Sequence, residues 1–194
     1  MRRLRAVAAA ALTLASASTA AVAQKPSDHP ASHGVGLQLY LLASSGWTLR
    51  QTDSIDNTVI DLGVGSGGGV GANLIYDLAH WIGGYAGLEF AVESEGIYRT
   101  YGAGVILRTR PRGAFRLHGR AGARIIDVET SLFYADLGVG AELFVTSALA
   151  VSAEASVEVP LGSRTRYTGL HTVRLTAREG PKRLSLGAAW YPSR

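Results

Sequence analysis

A two-residue alternation of apolar and polar side chains runs from Val35 almost to the end of the chain, and it restricts the fold more than any other feature. Phe115–Val128 carries it most clearly: Phe115, Leu117, Ala121, Ala123 and Ile125 alternate with Arg116, His118, Arg120, Gly122 and Arg124. Successive side chains of a strand point to opposite faces, so this period predicts strands with two unlike faces. The same pattern occupies Val35–Ala43, Ile60–Leu78, Ile82–Val92, Ile97–Arg110, Phe133–Val145, Leu149–Val159 and Leu184–Trp190, which with Phe115–Val128 makes eight segments. Asp77–Trp81, Pro111–Ala114 and Thr146–Ala148 are tight connections, whereas Ser45–Asn57 and Leu161–Leu170 are longer and polar. Short turns on one side, longer loops on the other and an even strand number predict an all-β fold, an eight-stranded antiparallel up-and-down transmembrane β-barrel.

The segment DLGVGSGGGVGANL (Asp61 to Leu74) contains a G-x-G-x-x-G match at Gly63, Gly65 and Gly68. A nucleotide-binding loop of that form needs a helix after it, and no helical period follows. The even residues from Ile60 to Leu78 are mostly apolar and the odd ones mostly glycine or polar, without a slip. The glycines therefore read as one face of one long strand, where they leave room in a narrow lumen for long side chains. His171–Arg178 has its apolar residues Val173, Leu175 and Ala177 on odd positions, whereas after Glu179–Lys182 they are even. A rim bulge explains this better than an extra strand, which would give an odd strand count.

The first residues describe export. Arg2, Arg3 and Arg5 precede the apolar run Ala6 to Ala17 and the small-residue site Ala21-Val22-Ala23, a secretory signal peptide over 1–23 cleaved after Ala23. A first transmembrane helix is disfavoured by the shortness of the run. Removing the three arginines leaves 16 basic against 15 acidic residues, so the precursor's pI of about 9.6 gives no support to nucleic-acid binding. With no cysteine there is no disulfide framework, Cys-zinc site or thiol nucleophile. Residues 24–33 read as a flexible lead-in, and 34–194 as the barrel.

A soluble barrel would place its apolar residues inside. Here the polar phase is crowded with glycine, a poor choice for water-facing strands, and the apolar phase carries large aromatics near the predicted strand ends. Tyr76, Phe115 and Trp190 fall by the short turns, and Phe90, Tyr101 and Phe133 toward the loops, as interfacial girdles would. The signal peptide, the eight segments and the ending Ser185-Leu186-Gly187-Ala188-Ala189-Trp190-Tyr191 together resemble small eight-stranded outer-membrane β-barrel proteins of Gram-negative bacteria, of the OmpA transmembrane domain, OmpX-like and OmpW-like kinds. The resemblance implies an outer-membrane location and an assembly signal in Gly187, Trp190 and Tyr191 read by the barrel-assembly machinery. It also implies lipid and lipopolysaccharide as surroundings, with no nucleic acid, and a monomeric state is expected. The chain departs from the usual pattern in ending Pro192-Ser193-Arg194.

The inward phase puts Glu89, Arg120 and Glu154 near mid-barrel with Arg108, His118 and Glu142 lower, predicting ion pairs across the lumen, since buried charges persist when paired. A structural or surface-interacting barrel with a charge-filled lumen follows. The alternative is a narrow pore gated by Arg120 pairing with Glu89, Glu142 or Glu154. An enzyme needs nucleophile, base and orienting group within reach, and neither His118, His80 nor His171 has such company in sequence, so no catalytic residue is assigned. Asp28, His29 and His33 lie on a Pro-containing lead-in; no metal and no cofactor is expected. Arg108, Arg110, Arg112 and Arg116 are placed as a basic cluster around a short turn, and Ser45–Asn57 with Trp47 as the best candidate contact surface.

Overall fold

The computed structural model describes residues 34–94, 96–127, 131–168 and 171–192; the signal peptide and the lead-in with Asp28, His29 and His33 lie outside the described residues. Strands form where the alternation predicts them. In chain order they are β1 (Gly34–Ser44), β2 (Trp47–Asp53), β3 (Val59–Val64), β4 (Gly67–Ala79), β5 (Ile82–Glu93), β6 (Gly96–Arg108), β7 (Phe115–Asp127), β8 (Ser131–Phe144), β9 (Leu149–Pro160), β10 (Ser163–Thr168), β11 (His171–Glu179) and β12 (Lys182–Trp190). Eight of them close an antiparallel barrel in the order β1-β12-β9-β8-β7-β6-β5-β4. Closure pairs every strand on both sides and leaves no edge, which a lipid environment requires.

The barrel wall has the facing that the alternation predicts. Along β9 every odd residue from Leu149 to Val159 is exposed and every even one from Ala150 to Glu158 is buried. The exposed face is apolar on all eight barrel strands, including Leu41, Val70, Leu88, Val105, Leu117, Val139, Val151 and Leu186. All six girdle aromatics, Tyr76, Phe90, Tyr101, Phe115, Phe133 and Trp190, stand on this outer face, joined near the short-turn rim by Trp81.

The glycine-rich strand fits its place in β4. Tyr40 of β1 pairs with Gly71, and a Cβ on Gly71 would collide with the Tyr40 ring. The missing side chain lets that ring lie across β4 and reach Glu89 on the next strand, β5.

Two expectations change. The connections Ser45–Asn57 and Leu161–Leu170 are not long irregular loops: they contain β2 and β10. With β3 and β11 these form a four-stranded sheet, β10-β11-β2-β3. Each member continues a barrel strand past the rim in the same lateral order, so half the wall, β9-β12-β1-β4, rises above the other half. The second change concerns Ile60–Leu78, which is not one uninterrupted strand. It breaks at Gly65–Ser66 into β3 and β4, and Val64 turns inward although Val70 and Leu74 of the same parity face out. At Glu179–Lys182 the chain does not reverse; β11 runs on into β12, with a register shift between Ala177 and Glu179.

The raised sheet bends over the mouth. Trp47, Leu49, Val64, Leu175 and Ala177 from its underside pack with Ile126, Leu132 and Tyr134 from the opposite wall, and Tyr98 and Val173 border the cluster. The Trp47 ring meets Tyr98 and Tyr134 edge-on at centroid distances of 6.3 and 6.2 Å. Trp47 is therefore 3% exposed and not an open contact surface. Apolar residues are cheap to place here because they leave water on both sides of the contact.

Candidate functional site

The lumen is the candidate site, and it is layered. Just beneath the apolar cover, Glu93 accepts hydrogen bonds from Ser44 Oγ at 2.7 Å and Trp47 Nε1 at 3.0 Å. In the middle lies a continuous network. Glu89 accepts from Tyr40 OH at 2.6 Å, pairs with Arg124 Nη1 at 2.6 Å, and is in contact with Arg183. Arg183 Nε reaches Glu158 at 3.1 Å, and Arg124 Nε reaches Asp136 at 3.1 Å. Asp136 is shared: it also takes Arg120 Nε at 3.0 Å and the Tyr85 hydroxyl at 2.9 Å. Arg120 Nη2 continues to Glu154 at 2.9 Å, whose other oxygen is 3.1 Å from His118 Nε2.

Below this the charges meet rings. Arg116 Nε pairs with Glu142 at 2.6 Å, and the Tyr191 hydroxyl donates to the same carboxylate. The Arg116 guanidinium lies 4.9 Å from the Phe144 ring centre and 5.0 Å from that of Tyr191. Arg108 pairs with Asp77 and lies 5.7 Å over Tyr191. Gln38, bonded to Ser152 and Asn73, fills the remaining wall at this level. Each arginine thus offsets its desolvation with a carboxylate, an aromatic face or both.

All six predicted lumen residues, Glu89, Arg108, His118, Arg120, Glu142 and Glu154, are buried and inward. The pairing differs in detail: Arg120 joins Glu154 and Asp136, not Glu89 or Glu142. The basic cluster divides, with Arg110 and Arg112 at the surface and Arg108 and Arg116 inside the barrel. The network also recruits Asp77, Arg124, Asp136, Glu158 and Arg183. All five stand on the polar phase of their strands, so the alternation itself marks them, and the tyrosines Tyr40, Tyr85 and Tyr191 share that phase. Trp190 faces outward, whereas Tyr191 enters the lumen and Gly187 faces it too, where a Cβ would strike Tyr40. Above the rim, Arg50 and Asp61 pair across β2 and β3 at 2.8 Å, and that hydrogen bond holds the Asp61 carboxyl below the usual carboxylate range.

An apolar exterior around a charged interior inverts the soluble-protein arrangement, and it defines the class: a small eight-stranded barrel of the outer-membrane type. No protein-family model and no curated protein matches the chain. Solved structures similar to it include the N-terminal barrel domain of Pseudomonas aeruginosa OprF, at 11% identity and a TM-score of 0.48, covering 81% of this chain and 98% of that one. P. aeruginosa OprG is similar at 9% identity and a TM-score of 0.49, with coverages of 84% and 96%. Neisserial surface protein A is similar at 13% identity and a TM-score of 0.44, with coverages of 80% and 97%.

Proposed function

We propose that the chain is a structural, surface-displaying protein of the outer membrane whose lumen is shut to solutes at rest. The observation that carries this reading is the layering: the apolar cover at the mouth, the arginine–carboxylate network at mid-height and the arginine–tyrosine–phenylalanine layer below. An eight-stranded barrel has room inside for little more than its own side chains, and these layers use that room. The apolar outer wall between two aromatic girdles suits a bilayer with lipopolysaccharide and phospholipid around it. Export by a signal peptide cleaved after Ala23 and insertion guided by Gly187, Trp190 and Tyr191 complete the reading, with a monomer as the working unit and no catalytic role assigned. Planar-bilayer recording of the refolded mature chain tests it. Silence at moderate voltage is expected, whereas steady unitary steps from the unmodified protein would refute it.

A narrow gated pore is the second reading, favoured by one observation. Among the described residues seven buried carboxylates, Asp77, Glu89, Glu93, Asp136, Glu142, Glu154 and Glu158, face five buried arginines and His118. An interior with that balance would favour cations if it opened. Arg120→Ala, which removes the bridge between Asp136 and Glu154, should then produce cation-selective steps.

A further inference from the structure

All four strands of the raised half are interrupted near the rim, the β9–β10 break lying about three residues higher than the other three, and every interruption contains a glycine: Ser45–Gly46 between β1 and β2, Gly65–Ser66 between β3 and β4, Leu161–Gly162 between β9 and β10, and Gly180–Pro181 between β11 and β12. At Gly162 the backbone has φ +102°, a conformation that other residues rarely adopt. Side by side, the four breaks form a crease across the wall. Below it the strands are paired into a closed barrel; above it they pair only with one another. We propose that the sheet β10-β11-β2-β3 is a lid that turns about this crease, with Trp47 as its latch.

The contacts above and below the crease are of different kinds. Barrel strands are joined by unbroken backbone ladders, as between β7 and β8 from Phe115↔Leu143 to Asp127↔Ser131. The lid meets the opposite wall through the side chains of its apolar underside, through the Trp47–Glu93 hydrogen bond, and through edge bonds such as Leu161 N to Phe133 O at 2.8 Å and Gly65 N to Ser94 Oγ at 3.1 Å. Apolar contact is non-directional, so it can be broken and remade without rebuilding a ladder. At the far wall Trp47 touches Tyr98 of β6 and Tyr134 of β8 while its nitrogen bonds Glu93 of β5, and the Arg164 guanidinium of β10 lies 4.2 Å from the Phe133 ring centre of β8. The wall it covers carries two buried polar atoms without a hydrogen-bond partner, Tyr134 OH and Thr100 Oγ1. Opening would hydrate both and so offset part of the cost of exposing the apolar underside.

The lid can turn whether or not the lumen conducts. The chain has no cysteine, so nitroxide pairs can be placed freely. Labels at Thr52→Cys on the lid and Asp127→Cys on the opposite rim report the lid, and a pair at Asp127→Cys and Arg110→Cys reports the barrel. Double electron–electron resonance on the folded protein in detergent should give two lid distances. Trp47→Ala should raise the ratio of long to short by at least about tenfold, while Trp47→Phe stays near the parent and the barrel pair stays fixed. Leu49→Ala provides the same readout if Trp47→Ala fails to fold. A single lid distance in every variant, or two whose ratio ignores both alanine substitutions, would overturn the lid.

Discussion

The two halves of the barrel wall obey one sequence rule and end differently. β5 to β8 stop flush at the rim, with Glu93 and Gly96 of neighbouring strands already paired across the turn. β9, β12, β1 and β4 continue upward and fold inward. Below the rim the outside is apolar in both halves. Above it Trp47, Leu49, Val64, Leu175 and Ala177 of the raised half turn to the inside, while Val59, Ile60 and Leu62 stay exposed. A continuous strand that crosses from one medium to the other must invert, and the crease is where it does so.

Substitutions that separate the halves should differ in size and in what they damage. The largest effect is expected from Arg124→Ala in the flush half, which strips partners from Glu89, Asp136 and Glu158. Unpairing buried charges costs about 3–5 kcal/mol, so the urea midpoint of the barrel should fall steeply; an unchanged midpoint would mean that the network is ornamental to stability. Trp47→Ala in the raised half should cost about 3 kcal/mol yet spend it locally. Trypsin cleavage at Arg164, Arg174 and Arg178 should accelerate while the barrel's urea midpoint holds, and a joint collapse would show the two halves to be one cooperative unit. Gly71→Val drives a side chain into the Tyr40 ring and should cost about 1–3 kcal/mol as overpacking, with Gly68→Val, which meets only a backbone oxygen, as the milder control. The smallest effect belongs to Asp61. Its carboxyl is held down by Arg50, so its stabilising share is present at neutral pH and is lost as acid carries the pH through that depressed value, below about pH 4. Amide exchange in the β2–β3 hairpin should quicken slightly in that window for the parent and not for Asp61→Asn; equal behaviour would remove the pair from the account.

Most of the wall was legible in the sequence. Phe115–Val128 displayed the facing of β7 residue by residue, and the inward phase held the lumen charges, including Arg124 and Asp136, because a strand's period leaves no other place for them. The lid was not legible, for a physical reason. In β1–β2 and β3–β4 the apolar parity never changes along the chain: Leu39, Leu41, Trp47 and Leu49 are all odd. The backbone instead flips at Ser45–Gly46, so Leu41 faces out and Trp47 faces in. In β11–β12 the inversion is made the other way. The backbone keeps its inward parity at Leu175, Ala177 and Arg183, and the sequence changes phase at Glu179–Lys182. That visible phase break was the one mark of the crease, and three silent breaks beside it read as continuous strand or loop. Specific partners such as Arg120 with Asp136 depend on register and strand tilt, which alternation does not encode.

The three tryptophans divide between the surfaces on which the account rests: Trp190 and Trp81 on the outer wall near the short turns, and Trp47 under the lid. Single-tryptophan variants, with phenylalanine at the other two positions, can be refolded into vesicles of brominated phosphatidylcholine and their fluorescence compared with that in unbrominated vesicles. Strong quenching of Trp190, with Trp47 left bright, is the result expected of an inside-out barrel whose mouth is covered. A quenched Trp47, or a Trp190 indifferent to bromine, would contradict it.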